Sequence, residues 1–301
     1  MQKKYINIFI INIIVIFLLL IIAEFMCIKF TFKIRHVEYA DISKYIEKVI
    51  ETYTSNSFFK DYDFRPVSYP SNPTGKLPIA TIGCSFTYGL YLNQEDTFAS
   101  QLANFTGRTV YNLGVVAASP REILYILRND ELRNELLYNE QNLEYIIYPF
   151  ISNHLQRLYM NIRLNPLTPY FKLKDGSLEF YDKNHFIQKS YIFRLLYELK
   201  YKEKDDLEAY NLFTIYMKEA NKEIKKHYPS AKFVILVYED YLDHDWKELE
   251  NEGIIVIKVK DMTVIDVYSS QYSQSAIDSH PNKLAWEKII PILAEKLNLI
   301  Q

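Results

Sequence analysis

An α/β fold built on a mostly parallel sheet is what this chain predicts, on three observations. Five short apolar runs, at 77–82, 109–113, 144–150, 232–238 and 254–259, read as strands. Amphipathic stretches at 97–104, 120–129 and 207–227 fall between most of them, and a last one follows at 281–297. No tight hairpin loop joins any two of the five runs, so the connections are crossovers, which are right-handed and place helices on both faces of the sheet.

Taken in order, the chain first shows residues 6–23, an apolar run interrupted only by Asn7 and Asn12. That is close to the ~20 residues a bilayer-spanning helix needs. The run is long for a cleaved leader, no small-residue cleavage site follows it, and Glu24-Phe25-Met26 before Cys27 is no lipobox. Residues 1–28 are therefore expected to be an uncleaved transmembrane anchor, with the lipid bilayer as a partner. Lys3 and Lys4 lie on one side of it, and Lys29, Lys33 and Arg35 on the other, so charge alone does not orient it. The short head favours a signal anchor, single-pass, with the domain outside the cytoplasm. Residues 29–76 read as a stalk and connector, and 77–301 as the folded domain.

Within the domain, 154–204 breaks the alternation of strands and helices. It is rich in Tyr, Phe and Leu, and 170–181 reads as a β-hairpin around Asp175-Gly176. The expectation is an insertion or lid near the site, whose rings either line a sugar-binding surface or pack on the core.

Composition narrows the function. The chain has 301 residues, 49% of them apolar, and a net charge of -2, which gives no polyanion-binding signature and makes nucleic acid an unexpected partner. Its two cysteines, Cys27 and Cys84, lie beside the apolar run and inside a turn, so no disulfide is expected. No Cys/His spacing suggests a metal site, and no cofactor motif appears. Glycine is scarce, with seven in all, and Gly83, Gly89 and Gly114 fall in the segments that carry candidate chemistry.

The chemistry rests on two distant segments. Gly83-Cys84-Ser85-Phe86-Thr87-Tyr88-Gly89 follows the first strand, where a small-residue turn can present the Ser85 hydroxyl at the sheet rim. Asp278-Ser279-His280-Pro281-Asn282 lies near the end of the chain, and can supply a base in His280 and its orienting carboxylate in Asp278. Each segment alone also reads as a plain turn or a helix cap, with Pro281 opening the final helix. Cys84 is the competing nucleophile, but has no basic residue near it in sequence. Gly114, closing the second strand, offers a backbone N–H to an oxyanion, and Asn153, after the third, offers a side-chain amide.

In this order, the four segments resemble the SGNH/GDSL hydrolase family. The resemblance covers about 77–297 and implies a flavodoxin-like three-layer α/β/α sandwich. Carried over, it makes Ser85 the nucleophile, and Ser85, Gly114 and Asn153 the oxyanion donors. Asp278 and His280 complete the triad. Cys84 stands where the family usually has Asp, the third segment reads Ile-Ser-Asn-His, and the last has Asp-x-His rather than Asp-x-x-His. That shorter spacing resembles the membrane-associated, polysaccharide-acting branch, including alginate O-acetyltransferase-like proteins. The resemblance implies a membrane-anchored serine esterase that removes acyl groups, above all acetyl, from a cell-surface glycan or related ester. Its alternatives are an O-acyltransferase with the same triad and a non-catalytic glycan-binding or assembly protein. A structural anchor acting through 207–227 has little support, because that charged pattern reads as a solvated helix face.

Overall fold

The computed structural model describes residues 64–138, 140–160, 171–180, 206–262, 265–267, 269–275 and 278–300, together with Leu19 and Ile22. The chain divides into two units, and all the elements below belong to the one formed by 61–164, 168–181 and 204–301. The expected anchor at 6–23 lies outside the described residues, save those two. Among the described residues no helix is long and apolar enough to cross a membrane.

The elements run β1 (Ile79–Gly83), α1 (Ser85–Tyr88), α2 (Phe98–Thr106), β2 (Val110–Gly114), α3 (Pro120–Arg128), α4 (Asp130–Leu136), β3 (Tyr145–Phe150) and α5 (Asn153–Met160). They continue with β4 (Phe171–Lys174), β5 (Ser177–Phe180), α6 (Asp206–His227), β6 (Lys232–Val237), α7 (Lys247–Asn251), β7 (Ile255–Lys258), β8 (Ser273–Ser275), β9 (Asp278–Pro281) and α8 (Lys283–Lys296). The five expected strands form one sheet in the order β2-β1-β3-β6-β7, and every pairing in it is parallel. All residues of β1, β2 and β3 are buried, as strands covered on both faces must be. Helices α2 and α8 pack together, as do α3, α5 and α6. Counting only sheet strands, the order is 2-1-3-4-5, the flavodoxin-like arrangement, whose switch point lies between β1 and β3.

Capping chemistry explains where the helices start. Ser119 and Glu122 form a reciprocal capping box around Pro120, Thr97 caps α2, and Asn129 caps α4. Helix α8 starts two residues later than expected. Pro281 closes β9, and Asn282 is the cap, its Oδ1 accepting from the Ala285 N–H at 3.1 Å.

Two further expectations fall partly on described residues. Of the expected stalk and connector, 29–63 lies outside the described residues, and 64–76 lies along the domain: Ser68 forms an antiparallel bridge with Val110, and Thr74 N–H donates to Gly107 O. That bridge covers the outer edge of β2, a position that unprotected strands leave open to pairing. The 170–181 hairpin is present, with a two-residue turn at Asp175 and Gly176, both at positive φ. It packs on the helical layer, in line with the core-packing alternative, and the rest of the expected insertion, 161–170 and 181–204, lies outside the described residues. Phe171 meets the Tyr216 ring edge-on at 5.9 Å, Leu178 is buried, and Arg128 donates to Leu178 O.

Candidate active site

Ser85 is placed by how β1 ends. Cys84 is extended (φ -95°) and fully buried, and Ser85 then opens the short helix α1, which Gly89 closes in the left-handed conformation at φ 80°. The N–H groups of a first helical turn have no intrahelical acceptor, and Ser85 is the first residue of this one. Helix α1 lies against the end of β2. A Cβ on Gly114 would sit 2.2 Å from Tyr88 N, so only glycine permits this approach.

The partner of Ser85 arrives on β9, which pairs antiparallel with β8 outside the main sheet. Asn282 ties this ribbon together by donating from Nδ2 to Gln271 O and Ser273 O at 2.8 and 3.0 Å. Lys283 pairs with Asp96, and Gln101 donates to Lys283 O, which fastens the ribbon's exit to the segment entering α2.

Ser85, His280 and Asp278 form one hydrogen-bonded chain. His280 Nε2 lies 2.8 Å from Ser85 Oγ, and His280 Nδ1 lies 2.5 Å from Asp278 Oδ1. The same carboxylate oxygen accepts from the His280 backbone N–H at 2.9 Å. A carboxylate can only accept, so Nδ1 carries the proton and Nε2 offers its lone pair to the Ser85 hydroxyl. Burial pushes the Asp278 carboxyl up. The backbone and side-chain hydrogen bonds from His280, and its charge, outweigh this and hold it below the usual aspartate value. Ser85 is 3% exposed, whereas His280 and Asp278 stay partly open to solvent. Cys84, the alternative nucleophile, is buried and outside this chain of bonds.

Aromatic rings flank the imidazole. Phe86 lies 4.9 Å from the His280 ring and is itself backed by Tyr238 at 5.4 Å. On another side Tyr91 stands edge-on at 5.8 Å. Sequence reasoning missed these neighbours, because Tyr91 and Tyr238 meet the site only through the fold. Phe86 lay in plain view beside Ser85, but its side chain carries no chemical signal.

The two other expected oxyanion donors are placed differently. The Gly114 N–H is engaged, donating to Asn112 Oδ1 at 3.0 Å, so it is not free for a ligand in this state. Asn153 is not on a loop: it opens α5, exposed, just past the end of β3, the strand next to β1. The next residue, His154, is fully buried and stacks on Tyr148, whose hydroxyl lies 2.6 Å from its Nδ1. Among the described residues, no group of three or more His, Cys, Asp or Glu could hold a metal ion.

Fold and site together define a class of protein, a parallel 2-1-3-4-5 α/β domain with a Ser-His-Asp chain beside its switch point. No protein-family description matches the sequence, and no curated protein does. Solved structures that it resembles include lipases and carbohydrate esterases. One is an acetyl xylan esterase from the rumen bacterium Butyrivibrio proteoclasticus, at 12% identity, covering 76% of this chain and 66% of that one, with a TM-score of 0.43. Another is an extracellular lipase from Streptomyces rimosus, at 11% identity, covering 73% and 99%, with a TM-score of 0.43. A third is phospholipase A1 from Streptomyces albidoflavus NA297, at 10% identity, covering 73% and 99%, with a TM-score of 0.43.

Proposed function

We propose that the protein is a serine esterase of the SGNH/GDSL type, with Ser85 as nucleophile, His280 as general base and acid, and Asp278 as its orienter. The observation that carries this reading is the unbroken chain from Ser85 Oγ through the imidazole to the Asp278 carboxylate. In the first half-reaction His280 Nε2 takes the hydroxyl proton as Ser85 Oγ attacks the ester carbonyl carbon. The tetrahedral oxyanion is met by the Ser85 N–H and, in this reading, the Asn153 amide; Gly114 would first have to release Asn112. Collapse breaks the bond to the alkoxide, which leaves with the proton held on Nε2. Water then gives a proton to Nε2, attacks the acyl carbon, and the acid departs as Ser85 recovers its proton.

In its fuller form, the reading is a membrane-anchored enzyme outside the cytoplasm that removes acetyl or similar groups from a glycan. The apolar run at 6–23 supports the anchor, and the Asp-x-His spacing supports the polysaccharide-acting branch. The test is Ser85→Ala, which is expected to abolish p-nitrophenyl acetate hydrolysis and labelling by a fluorophosphonate probe while the melting temperature stays near that of the parent. Undiminished turnover in that variant rejects the assignment.

A further inference from the structure

Tyr91 combines a disfavoured backbone with an exposed ring. Its φ is 67°, a region that side chains larger than those of Gly, Asn or Asp seldom adopt, and it is 68% exposed. The loop around it is pinned in place. Arg65 donates to Gly89 O and Leu92 O at 3.0 and 2.9 Å, its guanidinium lies over the Tyr88 ring, and Leu90 N–H returns to Ser85 O. Held this way, the Tyr91 ring stands edge-on to His280, at 87° and 5.8 Å between centroids.

Ester cleavage gives that position a meaning. The departing alkoxide takes its proton from His280 Nε2, so the alcohol half of the ester must lie beside the imidazole on its open side. Phe86 and Tyr238 close the inner side. Tyr91 is the exposed ring touching His280, and an aromatic face with a hydroxyl at its rim suits a flat ring that is apolar on its C–H face and polar at its edge. A pyranose has that form. We infer that Tyr91 is a platform for the alcohol half of the substrate, stacking a sugar ring and aiming its acylated hydroxyl at Ser85. This rests on the esterase reading and specifies the alcohol class that the site takes.

The test compares acetylated xylotriose with ethyl acetate, whose alcohol is too small to reach the platform, on the full chain. Tyr91→Ala is expected to raise KM for the acetylated saccharide by about 3–10-fold, the range aromatic stacking contributes. Its kcat should hold, and its kcat/KM on ethyl acetate should stay within about twofold of the parent. Tyr91→Trp should keep the saccharide KM. Tyr91→Gly removes the same ring but relieves the backbone, and should melt about 2 °C above Tyr91→Ala. Equal losses on both esters in Tyr91→Ala would mark the ring as a support for His280 and overturn the platform, with esterase activity intact. An unchanged saccharide KM overturns it as well. A parent protein that hydrolyses neither ester and takes no fluorophosphonate label overturns the esterase reading, and this inference with it.

Discussion

Replacing Gly114 with alanine should displace the nucleophile without touching it. The added Cβ would lie 2.2 Å from Tyr88 N and 2.7 Å from the Thr87 carbonyl carbon, both backbone atoms of α1 that no rotamer change can clear. Ordinary contact begins at about 3.4 Å, so α1 must retreat by about 1.2 Å. Ser85 opens that same four-residue helix. A shift of that size is large beside the 2.8 Å hydrogen bond from Ser85 to His280 and takes it out of its normal geometry. A misplacement of about 1 Å can lower turnover by on the order of 100-fold, and forced overpacking destabilises by about 1–3 kcal/mol. The assay is steady-state hydrolysis of p-nitrophenyl acetate beside a thermal melt. Gly176→Ala is the control: its φ is 80° but no atom lies within 4 Å, so it should cost about 1 kcal/mol of backbone strain and leave kcat unchanged. The alanine variant keeps the residue 114 N–H, so any loss reports the clash and not a missing donor. Turnover within about threefold of the parent, with an unshifted melt, would refute the reasoning.

Three other outcomes are expected. Asp278→Asn should lower kcat by roughly 10³-fold or more, since the amide no longer enforces the Nδ1-protonated tautomer, and fluorophosphonate labelling should slow in step. Asn282→Ala removes the α8 cap and two bonds to the β8 side of the ribbon, and denaturant melts should show a loss of about 1–2 kcal/mol. Burial, then the Arg157 charge, hold His154 well below its usual pKa of 6.5, so the unfolded chain binds a proton there that the native one refuses. Its contribution is whole above pH 6.5 and is lost as pH falls, at up to about 1.4 kcal/mol per pH unit. Urea melts of His154→Gln should therefore lose less stability between pH 6.5 and 5 than the parent does.

What the sequence disclosed follows from burial and chemical type. The central strands stand out because a sheet covered on both faces demands continuous apolar runs such as Tyr145-Ile146-Ile147-Tyr148. Ser85, Asp278 and His280 were legible because few side chains can act as nucleophile, base and orienter. The β8–β9 ribbon was not, since Ser273-Gln274-Ser275 and Asp278-Ser279-His280-Pro281 carry no alternation of apolar and polar residues. Backbone pairing and Asn282 hold it instead. The Pro281 expectation erred because a proline beside a helix start reads the same whether it ends a strand or opens the first turn. Helix α5 was hidden by its polar start, Asn153-His154, though its second residue is among the most buried of the described residues. The committed state of the Gly114 N–H depends on the rotamer of Asn112, which no spacing rule encodes.

Asp278 and His280 share one short strand, and a single carboxylate oxygen grips both the backbone and the ring of the histidine. Proton acceptor and counter-charge therefore travel as one piece. The same ribbon carries both to Ser85. The reactive geometry is then set by a single coordinate, the gap between Nε2 and Oγ.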